Sequence, residues 1–181
     1  MNKITLLLNK CIVFGLILLG GIKVHAQVLN LPNRNVNAPD GGAFVSIIQN
    51  LNLNDREDSI FSHVMAGNVP SFQRNLVPVQ VTKSIGQTSY NITYYVLPDY
   101  LAIGSDNDYF LCPTTPKLAQ RIANSTGMTL PTSQMVDEIY QAASYKMAPI
   151  TQSPGPQMTQ VPYFNQHNNS VWTVRQSNLG N

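Results

Sequence analysis

The sequence predicts an α+β fold, an antiparallel sheet with helices packed on one face. Three observations predict it. Val77, Val79 and Val81 alternate with polar neighbours, and Ser89 to Leu97 is dense in Tyr, Ile, Thr and Val, both of which are strand patterns. Thr115-Pro116 and Pro131-Thr132 are start signals for two helices. Between them lies an acidic turn, Gly104-Ser105-Asp106-Asn107-Asp108, flanked by the apolar runs Tyr100–Ile103 and Tyr109–Cys112.

In chain order, residues 1–26 read as a cleaved secretory signal. Lys3 and Lys10 form a positive start, Cys11 to Leu19 is apolar, and Val24-His25-Ala26 is a small-residue cleavage site. The apolar run is shorter than the ~20 residues a membrane-spanning helix needs. Cleavage is expected before Gln27, with no membrane span afterwards and a secreted or periplasmic location. Residues 27–41, rich in Asn and Pro, read as an extended linker.

The domain is expected over residues 42–149. Gly42 to Gln49 is apolar and fits one or two helical turns. Asn54 with Glu57 makes a loose capping box for a helix whose apolar face is Ile60, Phe61, Val64 and Met65, with Gly67 as terminator. Pro78 places the Val77 strand at an edge or a strand start, and Ile85-Gly86-Gln87 is a turn before the Ser89–Leu97 strand. Pro98-Asp99 breaks that strand, Tyr100–Ile103 resumes it, and Tyr109–Cys112 pairs back across the acidic turn, giving three to five antiparallel strands.

The first central helix has a face of Leu118, Ala119, Ile122 and Ala123 and ends at Gly127. The second offers Met135, Val136, Ile139, Tyr140, Ala143 and Met147 as a buried stripe, until Pro149 stops it. Residues 150–162 are Pro/Gln-rich and linker-like, and residues 163–181 show no convincing period. Residues 150–181 therefore read as a linker and tail, weakly attached.

Composition narrows the function classes. The chain has 181 residues, 43% hydrophobic and 11% charged, enough for one domain with a real core. Loss of Lys3, Lys10 and Lys23 with the signal leaves eight basic against nine acidic residues, a net charge of −1. No basic run remains, which argues against nucleic acid as a partner. Cys112 is then the sole cysteine, so no internal disulfide is expected.

Few side chains are candidates for chemistry. Asp106 and Asp108 sit two apart on the turn, with Asp99 nearby, but calcium-loop spacing is missing and local turn bonding is the commoner role. Ser105 would be a nucleophile only if a base such as His167 reached it, and no G-x-S-x-G elbow surrounds it. Cys112, at a strand end, is better read as a buried small hydrophobe. His63 and His167 are far apart in sequence and show no zinc spacing, so neither metal nor cofactor is expected.

Several motifs occur together: Gly67-Asn68-Val69-Pro70-Ser71-Phe72, Tyr95 through Asp106, Asp108-Tyr109-Phe110, Thr115-Pro116, Ala119 through Ala123, Leu130-Pro131-Thr132, Met135-Val136-Asp137 and His167-Asn168. In combination they resemble a family of uncharacterised secreted bacterial proteins, over roughly residues 40–168. The resemblance carries no activity. It implies that members are longer, with a further β-rich, His-containing part, so the present chain is expected to be truncated relative to them.

Two function classes follow. The first is a non-catalytic exported module that binds a cell-envelope polymer or a protein partner through Tyr94, Tyr100 and Tyr109, with Asp106 and Asp108 beside them. The second is an exported hydrolase of envelope material, with Asp99, Ser105 and His167 at its cleft. The first leads, because a complete catalytic set cannot be assembled from these residues.

Overall fold

The computed structural model describes residues 27–179; the expected signal segment lies outside them. The fold is α+β, with helices packed against strands. In chain order it runs α1 (Gly41–Ile48), α2 (Leu53–Met65), a 3-10 turn (Ser71–Arg74), β1 (Val77–Ile85), β2 (Thr88–Val96), β3 (Ala102–Gly104), β4 (Tyr109–Leu111), α3 (Pro116–Thr126), α4 (Ser133–Ala142), a second 3-10 turn (Pro156–Thr159) and α5 (Val161–Leu179). The strands divide between two antiparallel ribbons, β1–β2 and β3–β4, rather than sharing one sheet. The division begins at Pro98, which has no N–H to donate, and at Asp99, whose carboxylate takes the Tyr100 N–H at 2.7 Å. The buried Gln73 side chain then occupies the edge of β3. Its amide donates to the Tyr100 carbonyl and accepts the Ala102 N–H at 3.0 Å.

The core gathers Phe44 and Ile48 of α1, Ile60 and Val64 of α2, Ile103 and Phe110 of the second ribbon, Leu118 of α3 and Val161 of α5. Cys112 is buried in the same cluster, and burial pushes its thiol well above its usual value. Local signals set the helix ends. Asn52, two residues before the expected Asn54, caps α2 by accepting the Asp55 N–H at 3.1 Å. Glu57 reaches away from its own helix to take the Thr115 N–H at 3.1 Å, which ties α2 to α3. Gly67, at φ +76°, closes α2: its N–H donates to the Val64 carbonyl and the Asn68 N–H donates to that of His63, each at 2.9 Å. Thr115 and Thr132 cap α3 and α4 as their sequence positions predict.

Three segments behave differently from their sequence patterns. Residues 27–40 are extended but fastened to the domain: Leu29 is buried, Val28 bridges Asn75, and the Arg74 guanidinium donates to the carbonyls of Leu31 and Pro32. Residues 161–179 form a 19-residue helix. Its inward positions include Val161, Phe164, Asn168, Trp172 and Arg175, and Asn168 accepts the Leu111 N–H at 3.0 Å through its side chain. Helix α4 has the predicted period but no fully buried residue; Val136 and Tyr140 are 51% and 56% exposed. It lies on β1, away from the core, held by Glu138, which accepts from Lys83 at 2.5 Å and from the Tyr94 hydroxyl at 2.9 Å. The Lys83 ammonium holds the Glu138 carboxyl below the usual carboxylate range.

Core position decides the cost of truncation. Ile60→Ala is expected to lower stability by about 2–5 kcal/mol and Ile139→Ala by about 1 kcal/mol or less, read from denaturant midpoints. Equal losses at both sites would place α4 in the core.

Candidate functional site

The acidic turn is built from two carboxylates that face two different helix starts. The Asp106 carboxylate accepts the Ser71 N–H at 2.7 Å and the Ser71 hydroxyl at 2.6 Å, at the start of the first 3-10 turn. The Asp108 carboxylate takes the Gly42 N–H, at 3.1 and 3.2 Å to its two oxygens, at the start of α1. A carboxylate is favoured there by the unpaired N–H groups of the first helical turn. Asp40, which precedes α1, turns instead to Arg34 Nη2 at 2.7 Å. Ser105 belongs to the turn itself: its hydroxyl accepts the Asp108 N–H at 3.2 Å.

Asp99 forms an ion pair with Arg175, both largely shielded from solvent. Tyr109 is buried edge-on between Phe72 and Trp172, with centroids at 5.2 and 4.9 Å. Burial chiefly raises its phenol above the usual value; the Arg175 charge opposes that, and Asp99 and Asp106 add to it. Asp99, Asp106, Tyr109 and Arg175 thus share one electrostatic neighbourhood. Tyr100 stands apart at 80% exposure, and Tyr94 is committed to Glu138.

His167 is elsewhere. Its Nε2–H donates to the Ile150 carbonyl at 3.0 Å, pinning the 150s segment to α5. No hydrogen bond among the described residues joins any two of Asp99, Ser105 and His167. Beside His167, a recess of about 380 Å³ is lined by uncharged polar groups, including Gln152, Gln157, Gln166 and Ser170. Two of those amides are already used: Gln152 donates to the Tyr163 carbonyl and Gln157 to that of Ser153, both at 3.3 Å. Among the described residues, no three His, Cys, Asp or Glu side chains converge as a metal site. No helix among them is long and apolar enough to cross a membrane.

A second polar cluster was not legible as one in the sequence. Asn68, 1% exposed, donates to the Pro39 carbonyl at 2.9 Å, accepts from Arg34 Nε at 2.9 Å, and faces His63 Nδ1 at 3.2 Å. Arg34 can only donate, so the Asn68 oxygen faces it and the amide nitrogen faces His63. His63 Nδ1 is then the acceptor, and the ring proton sits on Nε2. The ring packs edge-on against Phe44 at 4.8 Å, and burial lowers its pKa from 6.5. The only sequence hint was the pairing of His63 on the helix with Asn68 just past its glycine stop. Comparison with protein-family models, curated proteins and solved structures finds no match to this chain.

Removing the Asp106 carboxylate with Asp106→Ala is expected to cost about 0.5–2 kcal/mol, as lost helix caps do. Calcium should leave the melting temperature of the wild type unchanged. A calcium-dependent rise that Asp108→Asn abolishes would reassign the turn to cation binding.

His63 sets a pH dependence. Above pH 6.5 the imidazole is neutral in both folded and unfolded chains, and its contribution is complete. As the pH falls through that value, the unfolded chain takes up a proton that the folded chain resists, so stability declines until the lowered pKa is passed. Melting temperatures measured from about pH 7 to 5 should fall more steeply for wild type than for His63→Gln. Parallel curves would mean that His63 titrates alike in both states.

Proposed function

We propose that this chain is an exported, non-catalytic binding module that engages cell-envelope polymer. One observation carries the reading: the side chains suited to catalysis are bonded into the framework. Ser105 closes its own turn, Asp99 pairs with Arg175, His167 holds Ile150, and Asp106 and Asp108 cap helix starts. A general base must reach the proton it removes at about 2.6–3.2 Å. The carboxylates of Asp99, Asp106 and Asp108 already hold other donors, while no hydrogen bond among the described residues joins His167 to Ser105. Tyr100 is free by contrast: its ring is 80% exposed next to the anchored Asp99. A rigidly based, exposed tyrosine suits the flat apolar faces of sugars and similar polymers, supplying contact at little entropic cost.

Cosedimentation with insoluble envelope material should show saturable binding without release of soluble fragments. Tyr100→Ala should weaken it about tenfold, a loss of about 1.4 kcal/mol. Release of soluble product by the wild type, lost in Ser105→Ala or His167→Ala, would establish the hydrolase instead.

A further inference from the structure

The β1–β2 ribbon has two outer edges with opposite protection. β1 carries Pro78 and Lys83, the residue types that blunt an edge against further pairing. β2, Thr88-Ser89-Tyr90-Asn91-Ile92-Thr93-Tyr94-Tyr95-Val96, has neither a charge nor a proline or glycine. Its residues from Thr88 to Thr93 are all exposed. The loop is Gly86-Gln87, so Ile85 and Thr88 form the first hydrogen-bonded pair of the ribbon. Alternation then aims the N–H and C=O groups of Ser89, Asn91, Thr93 and Tyr95 away from β1. None of these N–H groups meets another acceptor among the described residues.

We infer that the open edge of β2 pairs with β2 of a second copy of this chain. The strand is self-complementary about Ile92. An antiparallel pairing with its two-fold axis at Ile92 sets Asn91 opposite Thr93 and Ser89 opposite Tyr95 of the second copy. Those are the residues whose backbone groups point outward, so each pair exchanges both bonds. The same register sets Tyr90 beside Tyr94 and Ile92 beside Ile92, favourable cross-strand pairs on the apolar face. No like charges meet, because β2 holds none. The apolar residues left exposed on that face, Ile92 at 44% and Tyr90 at 48%, become interior to a four-stranded sheet. A two-stranded ribbon is marginal alone in water, whereas four strands with an apolar face are stable. A closed two-fold pairing also ends growth, since the outer edges that remain are the guarded β1 strands. This association is independent of what Tyr100 binds.

Two measurements on the purified protein test it. Light scattering across a concentration series should show a monomer–dimer equilibrium that Asn91→Pro and Ile92→Lys abolish. Asn91→Pro copies the tolerated position of Pro78, and both variants should keep the wild-type far-ultraviolet circular dichroism. Ile92→Cys places two thiols on the axis, where opposed non-hydrogen-bonded residues lie ~4.5 Å apart, within disulfide reach. Mild oxidation should cross-link Ile92→Cys at least about tenfold faster than Ile85→Cys at the exposed tip, through its higher effective concentration. A wild type that stays monomeric at ~100 μM, with both cysteine variants cross-linking alike, would overturn the pairing. So would a dimer that survives Asn91→Pro and Ile92→Lys, or an edge that binds extended peptides but never itself.

Discussion

The close approach of α1 to the second ribbon is the constraint on which the rest of the molecule depends. Gly41 donates its N–H to the Asp108 carbonyl at 2.9 Å, and a Cβ there would lie 2.5 Å from the Tyr109 backbone. Gly104, at φ +130°, would place a Cβ 2.3 Å from the Asp108 carbonyl oxygen and 2.7 Å from the Gly41 nitrogen. Backbone cannot yield to contacts that short, so both positions need glycine. With the backbones in contact, Asp108 reaches the α1 start, Asp106 reaches Ser71, and Phe44 and Ile48 enter the core beside Ile103 and Phe110. The turn that looked most like a site in the sequence is the joint where two helical starts meet a hairpin.

Elsewhere, buried amides do the joining that a continuous sheet would otherwise do. Gln73 completes the edge of β3, Asn168 caps Leu111 at the end of β4, and Asn68 ties the 34–40 segment to the end of α2. An amide side chain offers both donor and acceptor, and can replace a missing strand at one residue pair. It carries no charge to desolvate, which makes it cheaper to bury than a carboxylate or an ammonium. This explains physically how a chain with only 11% charged residues remains ordered where its strands are three residues long.

Legibility in the sequence followed the range of the interaction. Caps at Thr115 and Thr132, the glycine stop at Gly67 and the period-two run of β1 depend on neighbours a few residues away, and were readable. Helix α5 was not, because several of its inward positions are polar: Asn168 meets a backbone N–H, His167 a backbone carbonyl and Arg175 a carboxylate. A hydrophobic period cannot register a helix held partly by complementary polar groups. Helix α4 showed the reverse. Its apolar stripe was real, but it covers only part of an outlying ribbon. For the site, Asp99 and the turn residues were visible by type. Their engagements with Arg175, Ser71 and Gly42 were not, since each spans more than thirty residues of sequence.

The same contrast divides the molecule mechanically. Helices α1, α2, α3 and α5 surround the β3–β4 ribbon with buried apolar side chains, so opening any of them exposes core. The β1–β2 ribbon with α4 rests on Val79, the single buried side chain in its two strands, and on the Lys83–Glu138–Tyr94 contacts. Partly exposed ion pairs contribute little and weaken with salt. Local opening free energy tracks buried apolar contact, so this arm is the part of the fold that opens at least cost. It can therefore gain or lose a neighbouring strand without disturbing the joint at Gly41 and Gly104. An interaction surface on the arm and a binding surface near Tyr100 would then act independently, since the elements carrying them share few contacts.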